Sequence, residues 1–284
     1  MNKFIKAVIL VCAIGSLFIS CKNDDDNGGT TPNPDQDITS AFTDPNFKAY
    51  CLANFDAIGG NNDGKLQLSE VNNITELHLY NKNITSLEGI GYFTGLTFLD
   101  CSFNKLTVLD VSKNTVLTEL WCFDNQLSAL DISKNAGLTE LRCYNNQLSA
   151  LDVSKNTALN FLGCYNNQLT TLDLSKNTVL TQLSCHTNQL ATLNVSKNMA
   201  LTILACSKNK LATLDVNQNT DLIVLNCSEN QLTALDTSKN KELTYVDATS
   251  NSIDTIYVWF SSAPTIPAGI TFKYDANTML EYKP

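Results

Sequence analysis

Basic charge is scarce in this sequence. Nineteen Lys and Arg stand against 28 Asp and Glu, a formal net charge of −9 over 284 residues. Proteins that grip nucleic acid by its phosphates gather Lys and Arg into patches, so this balance argues against such a partner. Histidine is scarcer still. His78 and His186 are the only two, too few and too distant to build a histidine metal centre or an acid–base pair. No zinc-protease helix, nucleophile elbow or phosphate loop occurs either. Long apolar runs are missing beyond the first twenty residues, and a hydrophobic content of 43% suits a folded soluble protein better than a polytopic membrane one.

The opening stretch, MNKFIKAVILVCAIGSLFIS, has the two lysines and short apolar run of a secretory signal peptide, too short and wrongly flanked for a spanning helix. Phe18-Ile19-Ser20-Cys21 resembles a bacterial lipobox, although Phe18 is looser than the Leu usual there. That resemblance implies a diacylated Cys21 as the new N-terminus; ordinary signal-peptidase cleavage is the alternative. Residues 21–40 are rich in Asp, Asn, Gly and Pro and too polar to offset chain entropy by burial, so a disordered acidic tether is expected. Cys21 followed at once by Lys22 and an acidic run also resembles the export signal of Bacteroidetes-type surface lipoproteins. It implies lipid anchoring on the outer face of the outer membrane; a solvated periplasmic spacer is the alternative.

What the sequence has in abundance is self-similarity. Asn104, Asn125, Asn146, Asn167, Asn188, Asn209, Asn230 and Asn251 recur every 21 residues, and Cys101, Cys122, Cys143, Cys164, Cys185, Cys206 and Cys227 keep the same step. The unit reads L-x-x-L-x-C-x-x-N-x-L-x-x-L-D-V-S-K-N-x-x, a leucine-rich repeat. One such coil cannot bury its own leucines, but stacked coils share one core. Leu and Cys alternate with free residues, as in a strand buried on one face, and neighbouring coils should pair in parallel about 4.8 Å apart. The Asn after each strand should satisfy backbone groups that no ladder reaches, and the second Asn row, Asn114 to Asn240, should do so at the opposite turn. Leu-Asp-Val-Ser fits a second extended segment on the convex side.

The cysteine position is therefore a core position, where free Cys acts as a small hydrophobe. Seven thiols cannot all pair, in-register side chains sit beyond the usual disulfide separation, and a straight row offers no tetrahedral zinc set. Reduced, buried thiols are expected.

These motifs resemble the internalin-type leucine-rich repeat surface proteins, in particular those with a cysteine ladder. The resemblance implies a mostly β, α/β-type repeat solenoid: a right-handed arc of 21-residue coils with a parallel concave sheet, a helical N-cap and a β C-cap. It also implies a non-enzymatic surface protein that docks a partner on that sheet. The domains expected are the leader over 1–20, the tether over 21–40, an EF-hand-like cap over 41–73, repeats over 74–258 and a β cap over 259–284.

In the cap, Asp44-Pro45 is a helix start, and Phe47, Cys51 and Phe55 form an apolar stripe. Asp63-Gly64 and Glu70 match the second half of an EF-hand loop, but the first-ligand place holds Gly59. A metal-free cap of EF-hand shape, without cofactor, is expected; the alternative is a structural calcium on Asp56, Asn61, Asp63 and Glu70.

On the sheet, three columns of side chains vary freely from coil to coil. Trp121, Phe123, Tyr144, Phe161, Tyr165 and His186 gather over four adjacent coils with Glu119, Glu140 and Arg142 among them, while later coils carry mostly small residues. Exposed aromatics with Arg mark partner sites; cross-strand stacking alone is the competing explanation. Glu119 and Glu140 have the separation of a retaining glycosidase pair, but an open repeat face lacks the enclosure such chemistry uses. The expectation is a monomeric, non-enzymatic lipoprotein, anchored only by its lipid, that binds a protein through this patch in adhesion or host contact. The alternative is a glycan stacked on Trp121, Tyr144 and Tyr165, in polysaccharide utilisation or colonisation.

Overall fold

The computed structural model describes residues 35–284. The expected leader, Cys21 and residues 21–34 of the expected tether lie outside the described residues.

Each coil contributes one three-residue strand to a ten-stranded parallel sheet. The strands are β1 (Glu76–His78), β2 (Phe98–Asp100), β3 (Glu119–Trp121), β4 (Glu140–Arg142), β5 (Phe161–Gly163), β6 (Gln182–Ser184), β7 (Ile203–Ala205), β8 (Val224–Asn226), β10 (Tyr245–Asp247) and β12 (Thr271–Lys273). Register is exact to the repeat: Glu119 faces Glu140, and Trp121 faces Arg142. The expected β cap thus continues the solenoid, because β12 pairs with β10 through Val246 and Phe272. The convex extended segment forms regular strands only near the end, where β9 (Ala234–Asp236), β11 (Thr255–Val258) and β13 (Met279–Tyr282) make a second sheet. Earlier coils show a single bridge there, Asp110 to Asp131.

One coil shows the core chemistry. Leu138, Leu141, Cys143, Leu148 and Val153 are fully buried and Leu151 is nearly so. Each such side chain contributes about 1.5–3 kcal/mol by leaving water. Every ladder cysteine is a free buried thiol. Burial raises all of these thiols, Cys164 and Cys206 to about 12.

Two asparagine rows stitch the coils. Asn146 donates through Nδ2 to Cys122 O and Cys143 O, and its Oδ1 accepts from Leu127 N–H of the coil before. In the second row Asn177, fully buried, donates to Val153 O and Asn156 O. A third row, not anticipated from sequence, is made by threonine hydroxyls. Thr118 Oγ1 donates to Thr97 O at 3.0 Å, and Thr139 Oγ1 donates to Thr118 O at 3.1 Å.

The residue before each ladder asparagine turns the chain through the left-handed region. Phe103, Asp124, Asn145, Asn166, Thr187, Lys208, Glu229 and Ser250 have φ between 51 and 58°. For a side chain other than Gly this costs on the order of 1 kcal/mol, tolerated because the bonds of the neighbouring asparagine fix the turn.

At the N-terminal end, α1 (Pro45–Cys51) starts at Asp44, whose Oδ1 accepts from the N–H groups of Asn46 and Phe47. Phe47 and Cys51 are buried, and the Phe55 ring lies 5.6 Å from that of Phe93, so the stripe seals the first coil. Cap packing begins earlier than residue 41. Ile38 is buried and its N–H donates to Leu66 O, while Asp37 bridges Gln67. Residues 36–40 therefore belong to the cap and not to a tether: one apolar side chain in that polar stretch is enough to dock it.

Candidate functional site

The short strands and the turns after them place the variable residues on the outer face of the ten-stranded sheet. In the column after the strands, Phe123, Tyr144, Tyr165 and His186 form one continuous stack. Centroid separations are 4.3, 4.2 and 4.3 Å, with interplanar angles of 17, 8 and 16°. The cause is the 21-residue step: parallel in-register strands about 4.8 Å apart bring equivalent side chains to near stacking distance. Phe103, from the left-handed turn position, closes one end edge-on at 5.4 Å from Phe123. Desolvation by the stack raises the Tyr144 and Tyr165 hydroxyls above their ordinary value. Burial, then the charge of Lys208, lowers His186.

One column over, Arg142 is held three ways. Its guanidinium lies 4.6 Å from the Trp121 ring centroid and 4.8 Å from that of Phe161, and its Nε donates to Glu140 Oε1 at 2.5 Å. Gly163 makes room for this arrangement: a Cβ there would come within 3.2 Å of Phe161 Cε1. Phe98 meets Trp121 edge-on at 5.1 Å. Glu119 sits beside Glu140 in register, and its carboxylate makes no hydrogen bond or ion pair among the described residues. Burial, then Glu140, raises its carboxyl.

All nine patch residues expected from sequence are thus on one face, in two clusters: the ring stack, and Arg142 with Trp121, Phe161, Glu119 and Glu140. Three contributors were missed. Phe103 lies one residue past its column, Phe98 stands one coil before the four that carry the cluster, and Gly163 acts by lacking a side chain. The heavier end of the patch, with Tyr80 5.0 Å from Phe103, also reaches further toward the cap than expected. Asp100 is nearly buried instead of displayed, because its Oδ1 accepts from both the N–H and the hydroxyl of Ser102.

No family model matches the sequence. The functional domain of InlJ from Listeria monocytogenes, described as including a cysteine ladder, superposes with a TM-score of 0.64 at 34% identity, covering 78% of this chain and 56% of that one. Internalin J of L. monocytogenes serotype 4b (strain F2365) is 41% identical over 80 residues. The chain is similar to the internalin-type leucine-rich repeat proteins. Internalin C2 of the same strain is 24% identical with a TM-score of 0.63, covering 78% of this chain and all of that one, and shows the shared fold. The chain spans about half of the InlJ structure and 8% of the full Internalin J.

The cap loop of this chain uses its acidic residues as braces. Both Asp56 oxygens accept backbone N–H groups, from Asp63 at 3.0 Å and Gly64 at 2.9 Å. Glu70 Oε1 accepts from Asn61 N–H, and Oε2 from Gln67 N–H at the start of α2 (Leu68–Val71). Asn61 Oδ1 accepts from Asp63 N–H. Among the described residues no group of three or more His, Cys, Asp and Glu is arranged to hold a metal ion. No described helix is long and apolar enough to cross a membrane.

Proposed function

We propose that this protein is a non-enzymatic binding protein that docks a protein partner on the outer face of its ten-stranded sheet, with Cys21 as lipid anchor at the cell surface. The observation that carries the reading is the contrast between a core repeated almost without change and a sheet face that varies coil by coil. Packing does not require Trp121, Arg142 or Tyr165 where they are. A half-buried aromatic–Arg cluster with carboxylates beside it has the composition of an interface anchor. A plant peptide hormone receptor, RGFR1 in complex with RGF2, is 25% identical over 59% of this chain with a TM-score of 0.52, so a related scaffold carries a peptide partner.

Ring geometry supports protein over glycan. Stacking a sugar on Tyr144 or Tyr165 needs a free ring face, and both faces of each are covered by neighbours. What these rings offer is their edges and hydroxyls. The test compares the intact protein with a Trp121→Ala, Tyr144→Ala double variant on host-matrix proteins and on a glycan array. Capture of a matrix protein by the intact form alone is the expected result; equal capture by both forms, or capture of glycans only, rejects the reading.

A further inference from the structure

The ring stack has two unlike ends. Phe103 closes the Phe123 end edge-on at 84°. At the other end His186 carries Tyr165 on one face, and among the described residues no further ring lies on it. The next members of the column are Ser207, Ser228 and Thr249, and beside them run Ala205, Asn226 and Asp247. A coil step is about 4.8 Å. Upstream as far as Phe123, each such step is filled by an aromatic ring; at Ser207 it is filled by a hydroxymethyl group. By this spacing the step beside His186 is left without a ring, a notch at whose base lies the nearly buried Ser207. Its border holds Lys208 in the adjoining exposed turn and Lys210 two residues on, against the one acid Glu229, whereas Asp124 borders the Phe123 end. Lys208 meets only an exposed partner, Glu229, at 3.5 Å.

We propose that this notch receives an aromatic side chain of the protein partner, carried next to an acidic residue, which becomes the next ring of the stack. The inference rests on reading the sheet face as a partner-binding surface. The four rings already present show the spacing an incoming ring adopts, 4.2–4.3 Å. It would bring no side-chain ordering cost on the receiving side, because His186 is already fixed by Tyr165 and by its contact with Thr187 Oγ1 at 3.1 Å. Charge complementarity selects the neighbour. A carboxylate beside the incoming ring meets Lys208 and Lys210, whereas a guanidinium, also planar, is repelled by them.

Because the chain has two histidines, NMR reads the notch directly, with His78 as internal reference. The probe is the dipeptide N-acetyl-Asp-Tyr-amide. Saturable upfield shifts of the His186 ring protons are expected, with His78 unmoved and no response to N-acetyl-Asp-Leu-amide. Ser207→Leu, which fills the notch, should weaken the probe by about tenfold, and Lys208→Glu by several-fold. Should Ser207→Leu fail to fold, His186→Ala serves, read on the tyrosine protons of the probe. No His186 shift, an equal response to the leucine probe, or a response to methyl β-glucoside in place of the dipeptide overturns the inference. The two readings fail separately. Capture of a matrix protein that depends on Trp121 and Tyr144, with a silent His186, removes the notch alone. A responsive His186 without such capture removes the wider binding reading.

Discussion

The Arg142 guanidinium lies over Trp121, 4.6 Å from the ring centroid, one strand away in perfect register. The second ring, Phe161, and the Glu140 carboxylate, which accepts from Nε, complete the enclosure, so charge, ring contact and a directed hydrogen bond all act on one group. Lysine can supply only the charge. Arg142→Lys should therefore cost about 1 kcal/mol in urea unfolding and shift Trp121 fluorescence to the red as the indole gains water. An unchanged midpoint and spectrum would mean that the sandwich contributes nothing.

Glu119 is predicted to work against stability at neutral pH. Its carboxyl is raised by burial and by Glu140, and an acid raised in the folded state costs stability once ionised, the cost shrinking as pH falls below the folded value and gone below the lower, unfolded one. Glu119→Gln should leave the midpoint at pH 7 unchanged or slightly higher, and should abolish any gain on mild acidification. A clear loss at pH 7 would show that Glu119 has a stabilising partner.

Asp44 has the opposite sign. Burial alone would raise it, but the N–H groups of Phe47 and Thr85, the Thr85 hydroxyl and Asn46 N–H together hold its carboxyl below the usual range. The stability it supplies is complete above the unfolded value, about 3.9, and is lost as pH falls through the lower folded value. Asp44→Asn should remove about 1–2 kcal/mol at pH 7 and flatten the acid limb of the stability curve. Parallel acid limbs for both forms would contradict this.

The inner asparagine row should matter more than its position at a turn suggests. Asn177→Ala removes one of two donors from each of Val153 O and Asn156 O, which keep the N–H groups of Asn156 and Leu159, in a fully buried site. Two such bonds contribute about 0.5–1.5 kcal/mol each, partly offset because the Asn177 Oδ1 itself meets no donor. A loss of about 2 kcal/mol is expected by chemical denaturation.

In the cap, Asp56 and Glu70 have all four carboxylate oxygens on backbone N–H groups. Addition of calcium should leave the melting temperature unchanged. Gly60→Ala should lower it, because a Cβ there would sit 2.0 Å from Glu70 Oε1 and 2.7 Å from Phe55 O. A calcium-dependent rise would reverse the assignment of these residues as braces.

Much of this was legible because repetition makes side-chain direction readable: Leu141, Cys143 and Leu148 fall in place once one coil is understood. The helix start at Asp44 and the stripe of Phe47 and Cys51 were equally local signals. The threonine row was not, since Thr118 looks like a filler until its hydroxyl is seen on the carbonyl of the preceding coil. Nor was the left-handed turn, because Phe103, Thr187 and Glu229 share no property that favours positive φ; the neighbouring asparagine imposes it. Register forecast that the patch residues would be neighbours. Which rings would cover one another depended on rotamers and on the space at Gly163, and neither is written in the spacing.

The uniform 21-residue step also makes this scaffold a ruler. Deleting or duplicating one whole coil between Leu180 and Leu222 would leave every core contact type intact, since each coil buries against neighbours identical to its own. Only the distance from the ring stack to the C-terminal end would change, in increments of one strand spacing, about 4.8 Å. Selection can thus tune the reach of a recognition patch without renegotiating the interior that carries it.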